Sequence, residues 1–408
     1  MIARTNILVF EPEANGHQMD YLRYLLTSIE ANVAGAHVTL LTVRAAMEHP
    51  NCRSLIDDFA HMLDVRIAPP VHGTNRFFRM FGQFYEQQWK YAEIFAIGLS
   101  EIGAENVDFI LLPYLETMGL LQLGLRPNLF MGKPWATIAV GLRFHHRRAG
   151  IPGPSRWEDI LQSVFFNRVA GYKGLACLGS VNPYLAATTL HPKAAFCPEP
   201  CAAPQLTGVA EARRAYGIRP ESCVVIVFGN IDRRKCLDVL LAGAAQVDPK
   251  LDLTIFLAGP QNTAYVRGVM NGEAAAKLRA QGRLVEVNRF LASGRDIEPM
   301  SAAEIAWVFY EPQYVYNSSV LVRSGLSGRP VICRHTGVIG RLVEEHRCGL
   351  ALPSDAPGEV AAALTKLARD PALRQEMGEN GRRAFAGNTP EVFARPIVEA
   401  IGRAMAAR

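Results

Sequence analysis

Short unbroken apolar runs alternate along the chain with longer segments in which apolar residues recur every three or four positions. The first kind of pattern predicts buried strands and the second amphipathic helices. In the first half, 6–10, 37–43, 108–113 and 135–140 read as strands, with 175–178 a further one. Residues 17–29 read as a helix, and the aromatic segment 75–99 as one long helix. The rhythm restarts after a Pro-rich stretch at Pro198–Pro204. There 223–228, 253–257, 284–287, 305–310 and 330–333 read as strands. Residues 210–216 read as a helix closed by Gly217, and 237–246 and 320–326 as further helices. Strands alternating with helices predict an α/β architecture, and unbroken apolar strands predict parallel sheets covered on both faces. Proline blocks both helix and sheet continuation, so the domain boundary is expected near residue 202. The tail breaks into helices at Asp370-Pro371 and Asn388-Thr389-Pro390.

Composition narrows the class. Of 408 residues, 49% are hydrophobic and 20% charged, which excludes disorder and collagen-like or coiled-coil structure. No stretch approaches ~20 uninterrupted apolar residues, so no spanning helix is expected. The start of the chain reads as a first strand rather than a secretory leader. Eight cysteines without a C-x-x-C pair suit free thiols in a reducing cytoplasm. The net charge of +5 suits an anionic ligand or an acidic membrane surface and is too small to argue for nucleic acid.

In doubly wound sheets, ligands bind beyond the carboxyl ends of the strands. Four loops qualify. After the first strand come Gly16, His17 and Gln18, where His17 either packs in the loop or meets a substrate. After 223–228 comes Gly229-Asn230-Ile231-Asp232-Arg233-Arg234-Lys235. Three cations at the start of a helix suit a phosphate, although a solvated basic turn has the same composition. Asn317, Ser318 and Ser319 are N-cap residues that could also face an anion. Gly337 follows Arg334-His335-Thr336 at the end of a further strand. No His/Asp/Glu cluster has metal-ligand spacing, and no metal site is predicted.

From about residue 210 to 393 these motifs together resemble the group 1 glycosyltransferases, family 4-like enzymes with the GT-B fold. Tyr216-Gly217-Ile218-Arg219-Pro220 stands where the family has a helix ending in Gly-Ile/Leu-Pro. Gly229 and Lys235 match its Gly-Arg-Leu-x-x-x-Lys-Gly loop, while Asn230 and Cys236 replace the Arg and the second Gly. Leu257-Ala258-Gly259-Pro260, Gly328-Arg329-Pro330-Val331-Ile332, Gly337, Cys348-Gly349-Leu350 and Asp370-Pro371 follow in order. The family's paired glutamates, eight residues apart, fall on Val315 and Arg323, and its Gly-Gly-Ile-Pro-Glu turn on 337–341. Glu311 would replace a missing carboxylate only from a rearranged loop, and Arg323 could instead read an anionic sugar.

The resemblance implies two Rossmann-like domains facing a cleft, 1–202 on the acceptor side and 203–385 binding a nucleotide-sugar. A helix in 386–408 returns to the first domain. It implies a metal-independent, retaining hexosyltransferase with no cofactor beyond its substrate. The acceptor would be a saccharide of the envelope or polysaccharide type, or a lipid-linked one. Donor contacts would come from Gly229, Asn230, Arg234, Lys235, Gly259, Ser318, Ser319, Arg323 and Gly337. Arg234 and Lys235 would offset charge on the leaving diphosphate. His17 would act as base, with Gly16, Gln18, His145 and His146 beside the acceptor. A non-catalytic binding protein and a sugar-nucleotide epimerase are the alternatives. The aromatic residues of 75–99 read as core at helical spacing, and peripheral docking on the inner face of a membrane is the alternative.

Overall fold

Two parallel sheets account for the apolar runs. The computed structural model describes residues 4–14, 18–154, 156–289 and 298–408. The first sheet takes β1 (Thr5–Phe10), β2 (Ala36–Thr42), β3 (Leu63–Ile67), β4 (Phe109–Leu112), β5 (Trp135–Ala139), β6 (Leu175–Ser180) and β7 (Ala194–Phe196) in the order β3-β2-β1-β4-β5-β6-β7. The second takes β8 (Cys223–Phe228), β9 (Leu253–Ala258), β10 (Leu284–Val287), β11 (Ile305–Trp307), β12 (Val331–Arg334) and β13 (Gly349–Leu352) in the order β10-β9-β8-β11-β12-β13. Every strand pairing is parallel. Both orders reverse direction once, between β1 and β4 and between β8 and β11. Such reversal points are where doubly wound sheets open toward ligands.

The chain divides into two compact units. Unit 1 comprises Met1–Ala149, Ser155–Pro200 and Thr389–Arg408, and unit 2 comprises Gly150–Pro154 and Cys201–Asn388. In unit 1, Ile7 and Val9 enter one apolar core while Leu8 and Phe10 enter another. Successive side chains of a strand point to opposite faces, so a strand buried on both sides must be apolar throughout. The helix Pro390–Ala406 is capped by Thr389, whose side chain accepts from the Val392 amide, and opens on proline. It lays Phe393, Ile397 and Ile401 against Leu22, Leu25 and Leu26 of the helix Gln18–Asn32. Each such side chain contributes about 2 kcal/mol when fully buried.

Three features differ from the sequence reading. The aromatic segment is two helices, Arg76–Met80 and Gln83–Ile102, because Gly82 between them takes φ +115°, a left-handed value. The edge strands β3, β7 and β13 are not among those read from the sequence: Asp64 and Arg66 interrupt β3, and β7 and β13 are only three and four residues long. The strand expected over 305–310 ends at Trp307, and 308–310 lead into the loop described next.

Candidate functional site

At the carboxyl end of the second sheet, the turns after β8 and β9 touch. Gly229 has φ +84° and Gly259 φ +141°, and a Cβ on Gly259 would lie 2.1 Å from the Gly229 carbonyl oxygen. Only glycine fits there, which brings the two strand ends within reach of one ligand. The three cations do not open a helix as the sequence suggests. Arg233–Lys235 form a 3₁₀ turn, and the helix Leu237–Ala244 begins after Cys236, which is left-handed at φ +46°. The Asp232 side chain caps this turn through the Arg234 amide at 2.9 Å. The same carboxylate grips the Arg234 guanidinium at 2.7 Å. Lys235 turns inward, only 6% exposed, and donates from Nζ to the Phe228 carbonyl. Burial pulls its pKa down to about 8, with Arg234 adding to the fall and Asp232 opposing it. Asn230 is exposed beside it.

The loop after β11 packs on this turn. The Glu311 amide donates to the Arg234 carbonyl at 2.8 Å, and Trp307 Nε1 donates to the Lys235 carbonyl at 2.9 Å. Tyr310 and Tyr314 stack at 4.3 Å between ring centres. The Tyr310 hydroxyl bonds Ser318 Oγ at 3.0 Å, and that oxygen also accepts the Val320 amide to cap the helix Ser319–Leu326. Ser319 is buried, and Arg323 is half-buried in the last turn. Gly337 begins the helix Gly337–His346, but its amide is taken. It donates to the Pro152 carbonyl at 2.7 Å, and the Val338 amide donates to Val315 at 3.0 Å. The sequence reading of Gly337 as an open donor contact is corrected on this point. Asp232, Tyr310, Tyr314 and Pro152 went unnoticed in the sequence. Asp232, two residues before Arg234, carried a legible signal, the Asp-x-x turn cap.

In unit 1, Gly16 and His17 lie outside the described residues. Gln18 starts its helix and donates from Nε2 to Glu13 Oε2 at 2.8 Å, while the Tyr91 hydroxyl donates to Glu13 Oε1 at 3.0 Å. Glu11, fully buried at the end of β1, accepts the Glu13 amide at 3.1 Å. Burial pushes its pKa up to about 8, so it holds a proton at neutral pH. The Glu116 carboxylate accepts the amides of Val140 and Gly141, at 2.9 and 2.5 Å, fixing the end of β5. His145 and His146 are buried, at 0% and 8% exposed. Burial pulls them to about 4 and about 3, and the His146 ring meets Asn182 Nδ2 at 3.0 Å. Among the described residues, no group of three or more His, Cys, Asp or Glu is placed to hold a metal ion.

Residues 209–384 match the model of the family described as glycosyl transferases group 1. That segment is a group 1 glycosyl transferase domain. The D-inositol 3-phosphate glycosyltransferase of Kribbella flavida is 29% identical over 183 residues, which take in 42% of this chain and 41% of that protein. The fold of the whole chain is similar to that of sucrose-phosphate synthase from Thermosynechococcus elongatus, with a TM-score of 0.69 at 18% identity, over 99% of this chain and 100% of that one. It is also similar to HepE from Anabaena in complex with UDP and glucose, with a TM-score of 0.67 at 15% identity, over 98% and 100%. The fold is thus GT-B, two Rossmann-like units each built on a parallel sheet. The group 1 domain keeps its framework glycines for packing reasons. A Cβ on Gly349 would lie 2.1 Å from the Val331 carbonyl oxygen, and Gly328 is left-handed against the Arg382 side chain. Of the two residues that the sequence reading aligns with the family's glutamates, Val315 is 2% exposed, with its backbone against Gly337, and Arg323 is half-buried.

Proposed function

We propose that the protein is a glycosyltransferase that takes a sugar from a nucleoside-diphosphate donor held by unit 2. The supporting observation is the convergence of the β8 and β9 turns with Arg234, Lys235 and the Tyr310–Ser318 loop, in a group 1 domain. The anomeric carbon–oxygen bond to the diphosphate breaks and a bond to an acceptor hydroxyl oxygen forms. Negative charge grows on the departing diphosphate oxygen, and the hydroxyl proton passes to a base. Lys235 and Arg234 supply fixed positive charge at that oxygen, a role that elsewhere falls to a metal ion. Lys235 spends one N–H on Phe228 and keeps two for phosphate oxygens. Anomeric configuration is retained, His17 serves as the base, and the acceptor is a saccharide of the envelope or polysaccharide type, free or lipid-linked. The setting is cytoplasmic.

A second reading rests on a specific observation. The Gly337 amide is already bonded and neither glutamate position is acidic, which suits a domain that binds a nucleotide without transferring sugar. Calorimetry with nucleoside diphosphates and a turnover assay on their sugars separates the two. Release of nucleoside diphosphate with sugar on an acceptor supports transfer. Binding without turnover on any acceptor supports the second reading, and conversion of the donor into its epimer without acceptor sinks both.

A further inference from the structure

The segment Arg76–Phe84 contains four phenylalanines and a methionine, and most of them are not in the core. Phe78 alone is buried, while Phe77 is 54% exposed, Met80 78% and Phe84 61%. The rings nonetheless form one connected group. Phe77 meets Phe81 at 5.3 Å, Phe81 meets Tyr85 at 6.0 Å, and Phe81 meets Trp157 at 6.5 Å. Trp157 opens the helix Trp157–Ala170, and its exposed side chain continues into those of Ile160 and Val164, at 69% and 57%. Positions i, i+3 and i+7 form one helical stripe, so three helices of unit 1, Arg76–Met80, Gln83–Ile102 and Trp157–Ala170, present a joined apolar face to solvent. The sequence alone suggested core for these aromatics. The break at Gly82 separates the helix that carries Phe77 and Met80 from the one that carries Phe84.

Arginines flank this face. Arg76, Arg79, Arg156 and Arg168 are exposed beside it. Two of the carboxylates nearby are paired. Glu86 is buried 3.9 Å from Arg79, and Asp159 holds Arg143 at 2.6 Å and the Arg156 amide at 3.0 Å. Glu158 is half-buried in the same turn. A soluble surface rarely leaves a patch of this kind uncovered. Aromatic and long aliphatic side chains flanked by arginines match the boundary between lipid headgroups and acyl chains, where rings are buried and guanidinium groups meet phosphate.

We infer that this face docks unit 1 on a bilayer rich in anionic lipid. Among the described residues, no helix is long and apolar enough to cross a membrane, so the contact is peripheral. The inference does not depend on transferase activity, because every residue it uses lies in unit 1.

Vesicle flotation tests it, with phosphatidylcholine vesicles and with vesicles also containing phosphatidylglycerol. The wild type is expected to float with the anionic vesicles at low salt and to release as salt rises. Phe84→Ser/Ile160→Ser and Arg76→Glu/Arg168→Glu should each weaken binding about tenfold or more. These side chains are exposed, so the thermal midpoint and nucleoside-diphosphate binding should not change. Trp157 gives a direct readout: a blue shift of tryptophan emission on anionic vesicles that Trp157→Phe removes. Absence of flotation, equal flotation of wild type and variants, or equal binding to both vesicle types would overturn the inference. So would a wild-type dimer in light scattering that the Phe84→Ser/Ile160→Ser variant dissolves, since the face would then be covered by a second copy of the chain.

Discussion

Asp232 grips the guanidinium of Arg234 at 2.7 Å, two residues downstream in the same turn. The carboxylate both orients the cation and offsets its charge. The Asp232 bond, then burial, act on Arg234, and the net effect raises its pKa. For an incoming diphosphate the carboxylate is a repulsive neighbour. Asp232→Asn keeps the turn cap and removes the charge. Nucleoside-diphosphate affinity is expected to tighten about threefold to fivefold, as befits a half-exposed charge worth roughly 0.5–1 kcal/mol. Isothermal calorimetry at two salt concentrations checks this; weaker binding would show that Asp232 serves the ligand directly.

Lys235 is a buried ammonium, and Lys235→Met separates its two roles. Nucleoside-diphosphate affinity should fall about tenfold or more, ~1.4 kcal/mol, for loss of a charge-assisted contact. The thermal midpoint at neutral pH should not fall, because the variant no longer buries a charge. The folded pKa lies below the unfolded one, so between about 8 and about 10.5 the unfolded chain holds more protons and wild-type stability gains with rising pH. In the variant that gain disappears. A variant with wild-type affinity removes Lys235 from the ligand site.

Glu11 gives the opposite slope. Its folded pKa of about 8 exceeds the unfolded value near 4.5. Between the two the unfolded chain has released its proton while the folded chain has kept it, so stability falls as pH rises through this window. Glu11→Gln supplies a neutral side chain of the same shape. Its melting midpoint should match the wild type near pH ~5 and exceed it near pH ~8. Parallel melting curves across that range would show that Glu11 is ionised when folded.

Cys236 occupies a left-handed position where the family loop has glycine. A side chain there costs ~1–2 kcal/mol of backbone strain. Cys236→Gly relieves that strain and loses a buried thiol, so its stability should stay within ~1 kcal/mol of wild type. Cys236→Val adds a β-branched residue at positive φ and should lose ~2 kcal/mol or more. Urea titration of both variants checks the pair; an unimpaired valine variant would mean the turn changes conformation.

What was legible in the sequence follows from which interactions are local. The central strand β8 is read to the residue, because a strand covered on both faces must be apolar from end to end. The turns at Gly217 and Gly229 are legible because a left-handed backbone needs glycine. The edge strand β3, Leu-Asp-Val-Arg-Ile, was missed because an open flank lets Asp64 and Arg66 interrupt the run. In the candidate site, Arg234 and Lys235 are adjacent in sequence but face different environments, one held by Asp232 and one bonded to Phe228. Side-chain direction inside a 3₁₀ turn is not written in composition. Nor is the Gly337–Pro152 bond, which joins residues far apart in the chain.

The chain passes between its two units four times, after Ala149, Pro154, Pro200 and Asn388. This has a consequence during synthesis. Unit 2 has all its parts once Asn388 has left the ribosome, including the short piece that supplies Pro152. Unit 1, whose sheet is made earlier, lacks Phe393, Ile397 and Ile401 until the helix Pro390–Ala406 is made. The usual order, in which the N-terminal domain folds first, is therefore reversed at its last step. The sheet made earlier waits, with part of its core uncovered, for the helix Pro390–Ala406 to close it.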